Sequence, residues 1–309
     1  MKRVFITGST GFIGKTLTDY LLKRGVEVYA LVRPETRLPM EWSDAVGLRV
    51  VSGTLENMEK STESLAGLGF DAFYHLGWHG VEPTLRNEVD VQLTNVGYSV
   101  ACVKAAAQIA AHKFIFTGST MEYLFAGEPI NASTVPSTSN HYGAAKIAAH
   151  YLCRQECLKL GVEFIYTAIT SVYGPGREDS NVITYTIQKL LNLERPSVTK
   201  LEQRWDYIHI DDLTEALRLV GEMGKADGFY TIGNGDNLPL SDYLLLVRDI
   251  IDPSLPLGIG EIPYVEGKLP SSCTDPTTIQ SDTGFTPKIP FREGIIPVIE
   301  YYRQKEGGR

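Results

Sequence analysis

Tyr142 and Lys146 lie four residues apart in the segment SNHYGAAK, and together their side chains could move a proton. Residues four apart share one face of an α-helix, so the two groups are neighbours if the helix has begun at Tyr142. A phenol with a pKa near ~10 is a poor base at neutral pH unless an adjacent ammonium lowers that pKa. Ser139 or Asn140 could equally cap an ordinary helix here. The segment alone therefore leaves both interpretations open.

Three glycines, Gly8, Gly11 and Gly14, are spaced three residues apart in the segment GSTGFIG, directly after the β-rich run RVFIT. Glycine allows a sharp turn that brings backbone amides against a pyrophosphate, and the N-terminus of the next helix then faces the anion. Because the segment lies between a predicted strand and a predicted helix, we favour a dinucleotide-binding turn over a plain tight turn. The expected cofactor contacts are Gly8, Thr10, Gly11, Phe12, Ile13 and Gly14.

Arg33 stands in the run ALVRPE, where the second strand should end. An acidic residue at that point would hydrogen-bond the adenosine ribose of NAD. A guanidinium instead suits a 2′-phosphate, which a carboxylate would repel. The sequence therefore favours NADP(H), with NAD still possible. In the alternative interpretation, Arg33 simply ends the strand in solvent, as Arg37 would.

Ser119 and Thr120 follow the apolar run FIF in the segment FIFTGSTMEY. Hydroxyls at the end of a buried strand could hold a substrate oxygen beside the tyrosine. Without the glycine turn and the Tyr/Lys pair, surface hydroxyls in a turn would be the better interpretation.

The elements that must position these residues alternate between β-rich and helical runs over the first half of the chain. The pattern predicts an α/β fold, a Rossmann-type doubly wound parallel sheet whose ligand crevice lies at the carboxyl ends of the strands. We expect residues 1–173 to form the dinucleotide-binding domain, rejoined by segments near 205–235. Residues 174–309, richer in proline and irregular runs, should form mainly a smaller C-terminal α/β substrate lobe.

The composition narrows the class of protein further. A net charge of −8 argues against a nucleic-acid surface, and no apolar run approaches the ~18 residues of a membrane helix, so we expect a cytoplasmic protein with no membrane partner. No metal site is expected, since His75 and His79 lack a third ligand and the four cysteines show no Cys-x-x-Cys pair. Asp211 and Asp212 precede a helical run and should cap it.

Eight short motifs occur in an order that resembles the extended short-chain dehydrogenase/reductase family, and more narrowly its nucleotide-sugar branch. The resemblance covers nearly the whole chain. The motifs are GSTGFIG, FYHLG, QLTNV, GSTMEY, YGAAK, VYGPG, WDYIHIDDLTEAL and YTIGNGDNLPLSDYL.

The resemblance implies roles for individual residues. Tyr142 would be the general acid/base on a sugar hydroxyl or carbonyl, and Lys146 would lower its pKa and bind the nicotinamide ribose. Ser119 would hydrogen-bond the reacting oxygen. Further expected cofactor contacts are Arg33, Leu55, Leu76 and Asn95, and expected substrate contacts are His79, Glu122, Arg177 and Arg204. A nucleotide sugar would be the substrate, and the family resemblance implies a homodimer formed through helices at about 88–110 and 142–160.

Several positions depart from the family pattern. Thr120 and Met121 stand where dehydratases carry acidic residues, so elimination of water is disfavoured. Trp205 stands where the family usually carries an arginine, and Arg204 lies one residue earlier. This shift weakens the case for a diphosphate contact by Arg204. An Arg-Pro pair common in the family is replaced by Ala168 and Ile169.

Three functions follow from these observations. The first is NADPH-dependent reduction of a nucleotide-activated keto-sugar, in particular a 4-keto-6-deoxyhexose. The second is a nucleotide-sugar 4-epimerase that retains NAD and uses the same Tyr/Lys pair. The third, a non-catalytic regulator that senses NADP, would have no need of Ser119 and the Tyr/Lys pair.

Overall fold

The computed structural model describes residues 1–127, 129–178, 181–264 and 269–307. Its strands are β1 (Arg3–Thr7), β2 (Glu27–Val32), β3 (Leu48–Ser52), β4 (Phe70–His75), β5 (Ala111–Ser119), β6 (Glu163–Ile169), β7 (Ser171–Tyr173), β8 (Ser197–Val198), β9 (Arg204–Trp205), β10 (Tyr207–His209), β11 (Phe229–Ile232), β12 (Leu238–Pro239) and β13 (Gly258–Ile259). Its helices are α1 (Phe12–Leu22), α2 (Met58–Ser61), α3 (Val89–Gln108), α4 (His141–Leu160), α5 (Val182–Leu191), α6 (Ile210–Met223), α7 (Leu240–Ile251), α8 (Thr277–Thr283) and α9 (Phe291–Gly307).

Seven strands form one parallel sheet in the order β11-β6-β5-β4-β1-β2-β3. The central strands are buried along most of their length because helices cover the sheet on both faces. The chain leaves β1 toward β2 on one side and later returns to β4 on the other. That reversal opens a crevice at the carboxyl ends of β1 and β4. The predicted doubly wound α/β fold is confirmed.

The two faces of the sheet are buried by different helix pairs. Helices α1 and α6 pack together on one face, where Leu17 and Leu217 are fully buried. Helices α3 and α4 pack on the other face and bury Val103 and Cys153. On the outer side of α4, Leu158 is 75% exposed. Within the described residues, none of the helices is both long and apolar enough to span a membrane.

A third apolar core lies outside the sheet and joins α5, α7 and α9 to the short strand β10. Its buried members include Ile187, Leu244, Ile295 and Tyr207. The chain returns to the sheet after β10: α6 packs on α1, and β11 pairs with β6 as the outermost strand. The boundary between the two lobes at residue 173 stays a prediction.

The start of α6 differs from the expectation for the two aspartates. His209 is the N-cap residue, and its ring Nδ1 accepts a hydrogen bond from the Asp211 amide at 3.3 Å. Asp211 and Asp212 lie in the first turn of α6 and not at its cap, so the prediction that they cap the helix was wrong. Asp212 instead accepts hydrogen bonds from the amides of Lys288 and Ile289, at 3.0 and 2.8 Å. It thereby fixes the segment that leads into α9.

Candidate active site

The turn between β1 and α1 depends on two glycines. Gly8 has a φ of +67°, a conformation that residues with a side chain rarely adopt. A Cβ on Gly14 would lie 2.1 Å from the carbonyl oxygen of Gly8, so the helix can approach the turn this closely only without a side chain there. Gly11 is the N-cap of α1 and offers no side-chain acceptor. The first amides of α1 are therefore available to an anion.

A cavity of about 700 Å³ runs along the carboxyl edge of the sheet from this turn to the Tyr/Lys pair. The residues predicted to contact a cofactor or to act in catalysis that line it are Gly8, Thr10, Gly11, Phe12, Ile13, Gly14, Arg33, Leu55, Leu76, Ser119, Tyr142 and Lys146. Residues more than a hundred positions apart in the chain thus meet in one space. The glycine turn and the proton-transfer candidates share a single site.

Asn95 lies outside this cavity, although it was predicted to contact the cofactor. Its side chain is buried; its Oδ1 accepts a hydrogen bond from the His79 amide, and its Nδ2 donates to the His79 carbonyl, both at 2.8 Å. Asn95 therefore clamps the backbone of the loop after β4. That loop, and not Asn95 itself, forms the cavity wall.

Arg33 stands one residue beyond β2 at the outer end of the cavity. Its side chain is 65% exposed, and its Nε lies 3.5 Å from a carboxylate oxygen of Glu35. The guanidinium is positioned at the edge where a ribose or its phosphate would lie. Glu35 places a carboxylate at the same edge.

Tyr142 and Lys146 are presented by the first turns of α4. Asn140 is the N-cap, and its Oδ1 accepts a hydrogen bond from the Gly143 amide at 2.8 Å. Lys146 is buried and donates a hydrogen bond to the Thr117 carbonyl at 2.7 Å, while its Nζ lies 3.9 Å from the centre of the Trp78 ring. One segment therefore both begins the helix, through the Asn140 cap, and carries the Tyr142/Lys146 pair.

The phenol of Tyr142 is held in its protonated form. Burial and the charge of Glu122 raise the pKa of Tyr142 to about 12, while Ser119 and the guanidinium of Arg86 act in the opposite direction. The ammonium of Lys146 is turned toward the Thr117 carbonyl and Trp78 and lies 5.9 Å from the Tyr142 ring centre, so the lowering of the Tyr142 pKa by Lys146 stays a prediction. A protonated phenol is suited to donate a proton.

Burial has the opposite effect on the ammonium. It lowers the pKa of Lys146 to about 8, and the carboxylate of Glu122 is the main group that resists this shift. Burial, together with the positive charge of Lys146, lowers the pKa of His75 to about 3, so its imidazole is neutral. The charge of Lys146 is therefore sensitive to pH just above neutrality.

The four expected substrate contacts are placed differently. His79 and Arg177 line the cavity. Glu122 is fully buried in the wall behind Ser119, and Arg204 is exposed beyond the cavity, with a hydrogen bond to the Asn237 carbonyl at 2.5 Å. The structure therefore brings two of the four residues into the site and leaves two outside it.

Among the cavity residues that were not predicted as part of the site, two lie against the ring of Tyr142. Trp78 follows the motif FYHLG directly, and its ring meets the edge of Tyr142 with 5.9 Å between ring centres. Arg86 belongs to no motif, yet its guanidinium lies 5.8 Å from the Tyr142 ring centre. The position of Trp78 beside a recognised motif was a usable signal. For Arg86 the sequence offered none.

The cavity fits a dinucleotide at one end and a proton transfer at the other. The glycine turn leaves room for a pyrophosphate that a Cβ would fill, and the open amides of α1 supply donors for it. Among the described residues, no three His, Cys, Asp or Glu side chains are grouped so that they could hold a metal ion. The doubly wound fold and this site define a class of enzymes that bind a nicotinamide dinucleotide.

Comparison with known proteins identifies the family within that class. A family model described as the NAD dependent epimerase/dehydratase family matches residues 4–233. The chain belongs to this family. The resemblance to the extended short-chain dehydrogenase/reductases is thereby confirmed, and the protein is an NAD(P)-dependent enzyme.

Curated relatives align over almost the full chain at low identity. The chain is 24% identical to dTDP-glucose 4,6-dehydratase from Streptomyces niveus, with 97% of this chain and 93% of that protein aligned. It is 25% identical to CDP-abequose synthase from Salmonella typhimurium (strain LT2), with 96% and 97% aligned. The relatives thus act on different nucleotide sugars.

Solved structures share the fold. MoeE5 in complex with UDP-glucuronic acid and NAD superposes with a TM-score of 0.84 at 23% identity, covering 98% of this chain and 99% of that one. RMD from Pseudomonas aeruginosa complexed with NADPH superposes with a TM-score of 0.79 at 21% identity, covering 98% and 100%. The fold therefore accommodates either dinucleotide.

Proposed function

We propose that the protein reduces a nucleotide-activated keto-sugar with NADPH, in particular a 4-keto-6-deoxyhexose. The observation that carries this proposal is the protonated phenol of Tyr142 in the same cavity as the glycine turn. Reduction of a ketone needs a proton donor at the oxygen and a hydride donor at the carbon. Arg33 at the ribose end supports NADPH as the source of the hydride.

In the proposed reaction, the glycine turn and Arg33 would hold NADPH, which would supply a hydride for the carbonyl carbon. Tyr142 donates its phenol proton to the carbonyl oxygen as negative charge develops there. Ser119 hydrogen-bonds the same oxygen and helps to orient it. Lys146 places a positive charge within the site, which stabilises the developing alkoxide, while Ser119 and Arg86 favour the phenolate that remains.

Dehydration is a poorer fit for this site. At the two positions where dehydratases carry acids, Thr120 is buried and its hydroxyl lies 2.6 Å from that of Ser272, and Met121 has no acidic group. Glu122 is enclosed in the wall and does not line the cavity. Elimination of water would need an acid that faces the sugar, and among the described residues the two acidic ones that line the cavity, Glu82 and Glu178, lie outside the Ser119 segment.

The nucleotide-sugar class of substrate rests on the family and on the relatives. CDP-abequose synthase aligns over 96% of this chain, and RMD, whose structure holds NADPH, shares its fold. Arg177 lines the cavity close to the glycine turn, with its guanidinium 6.0 Å from the Phe12 ring centre. It supplies a positive charge for a diphosphate. The predicted homodimer and cytoplasmic location remain part of this proposal.

A 4-epimerase with bound NAD is the second candidate. Glu35 favours it, because this carboxylate lies 3.5 Å from the guanidinium of Arg33 and could accept hydrogen bonds from the ribose of NAD. The two candidates therefore differ in which member of this ion pair meets the cofactor.

The first test identifies the cofactor and then the turnover. The purified protein is denatured, and any released nucleotide is identified by mass spectrometry. NADP(H), or an empty site that prefers added NADPH, supports the reductase, and consumption of NADPH with nucleotide-linked 4-keto-6-deoxyhexoses should follow. Near-stoichiometric NAD would move the assignment to the epimerase. A lack of turnover across a broad panel of sugar nucleotides would favour the regulator.

Arg33→Ala tests the cofactor preference directly. Loss of one charged contact to a phosphate should weaken NADPH binding about tenfold and leave NADH binding nearly unchanged. Arg37→Ala is the matched control, because Arg37 is also exposed near this edge but does not line the cavity. Equal loss for both dinucleotides in Arg33→Ala would remove the argument for NADPH.

A further inference from the structure

Glu122 is a fully buried carboxylic acid in the wall directly behind Ser119. Its Oε1 accepts a hydrogen bond from the Ser119 amide at 2.8 Å. Its Oε2 is sealed from solvent and, like the phenol oxygen of Tyr166, has no hydrogen-bond partner among the described residues. A buried carboxylate with one unpartnered oxygen is costly, so its retention beside the site calls for a physical reason.

The hydrogen bonds of Ser119 form a reciprocal capping box with Glu122. The Ser119 hydroxyl oxygen accepts from the Met121 amide at 3.2 Å, while Glu122 accepts from the Ser119 amide. Because the Met121 amide occupies an acceptor position of the hydroxyl, the hydroxyl proton is left to donate into the cavity. Glu122 thus holds Ser119 in the orientation that donates toward Tyr142 and a substrate oxygen.

The charged and titratable groups around Glu122 come from two elements and its own turn. Lys146 and Tyr142 face it from α4, Tyr166 faces it from β6, and Tyr123 follows it in the chain. Burial raises the pKa of Glu122 to about 7, against the pull of the Ser119 amide, Tyr166 and Lys146. Of these residues around Glu122, Lys146 is the one that carries a positive charge.

Two other groups influence Lys146. His75, on β4, is neutral and adds no charge at neutral pH. Cys153, one of the thiols on α4, is buried, and burial raises its pKa well above the usual range, so it stays neutral as well. Glu122 is therefore the ionised partner of Lys146 inside the wall at pH values above about 7.

We infer that Glu122 is a positioning residue for the reaction proposed above: its carboxylate orients Ser119 as a hydrogen-bond donor and balances the buried charge of Lys146. It acts through these two residues and does not touch the substrate. The first part of this inference rests on the proposed function. The second concerns the charge of Lys146 and holds for any reaction at this site.

Glu122→Gln separates the two parts. A glutamine keeps an oxygen for the Ser119 amide, and its NH₂ group can donate to the unpartnered phenol oxygen of Tyr166, so only the charge is lost. Below pH 7 the wild-type residue is itself largely protonated, and the two proteins should behave alike. Above pH 7 the variant lacks the negative charge, and the pKa of Lys146 should fall by about one unit.

The titration of Lys146 is followed by NMR on protein whose lysines carry ¹³C at Cε. The Lys146 signal is identified as the one that is absent from the spectrum of Lys146→Arg. Tyr166→Phe is the matched control, because it removes a buried polar atom from the same place without changing any charge. We expect a lower midpoint in Glu122→Gln and a clearly smaller decrease in Tyr166→Phe, which loses only the pull of the Tyr166 phenol on the pKa of Glu122. An unchanged midpoint in both, or an equal shift in both, would overturn the electrostatic part.

The orientation of Ser119 is read by kinetics. Glu122→Ala removes the acceptor and should lower kcat about tenfold at every pH with little change in KM, whereas Glu122→Gln should stay within about threefold of wild type below pH 7. Equal losses in the two variants would overturn the positioning role. If wild type turns over no keto-sugar, the proposed function fails, and the NMR titration still decides the electrostatic part.

Discussion

The two ends of the cavity are built by different physical means. The dinucleotide end comes from one short stretch, residues 8–14, and depends on backbone shape: Gly14 must lack a side chain because Gly8 lies against it. The catalytic end joins Ser119, Tyr142 and Lys146, which β5 and α4 bring together from separate parts of the chain. It depends on burial and charge. One end is therefore limited by steric fit, and the other by electrostatics.

The comparison predicts its largest effect at the catalytic end. Tyr142→Phe removes the proton donor and keeps the ring, so kcat should fall about 10² to 10⁴-fold. Stability should change little, because the ring contact with Trp78 is retained. Steady-state kinetics together with thermal unfolding measure the two quantities. An unimpaired variant would refute the role of Tyr142.

At the glycine end, the same logic predicts a loss of stability and cofactor binding. Gly14→Ala places a Cβ 2.1 Å from the Gly8 carbonyl oxygen, and the resulting shift of α1 should cost about 1–3 kcal/mol or more of the free energy of unfolding. Gly97→Ala is the matched control in a helix, since nothing lies within 4 Å of its Cβ position. It should be neutral or stabilising by about 0.5–1 kcal/mol. Denaturant unfolding of both variants decides this, and equal stability would show that the turn is not sterically limited.

The smallest effect that we expect is a pH dependence of stability that comes from Glu122 at the catalytic end. The pKa of Glu122 is raised to about 7 in the folded protein from an ordinary value of 4.5, so the folded state holds a proton that the unfolded chain releases. The stability due to this group is therefore present below pH 4.5 and is lost as the pH rises to about 7. Relative to Glu122→Gln, the free energy of unfolding of wild type should fall by about 2–3 kcal/mol over that range.

Asp206 titrates in the same direction, because burial raises its pKa to about 7, but it is present in both proteins and cancels in their difference. Urea unfolding at several pH values measures the difference. Parallel stability curves for wild type and variant would show that folding does not raise the pKa of Glu122.

Sequence reasoning succeeded where a property depends on neighbours in the chain. The glycine turn, a helix cap at Ser139 or Asn140 and the four-residue interval from Tyr142 to Lys146 are local patterns, and the structure has each within the predicted segment, with Asn140 as the cap. The order of the motifs identified the family. These features required no knowledge of how distant segments pack.

Tertiary structure decided what local patterns cannot specify, namely which way a side chain faces and how deeply it is buried. It turned Asn95 toward the His79 backbone, left Arg204 outside the cavity and brought Arg86 to Tyr142. It also enclosed Glu122 and raised the pKa of Tyr142. Burial and electrostatic energy are sums over groups from many segments, so only the assembled fold determines them. The sequence alone determined which groups were present and which local turns held them.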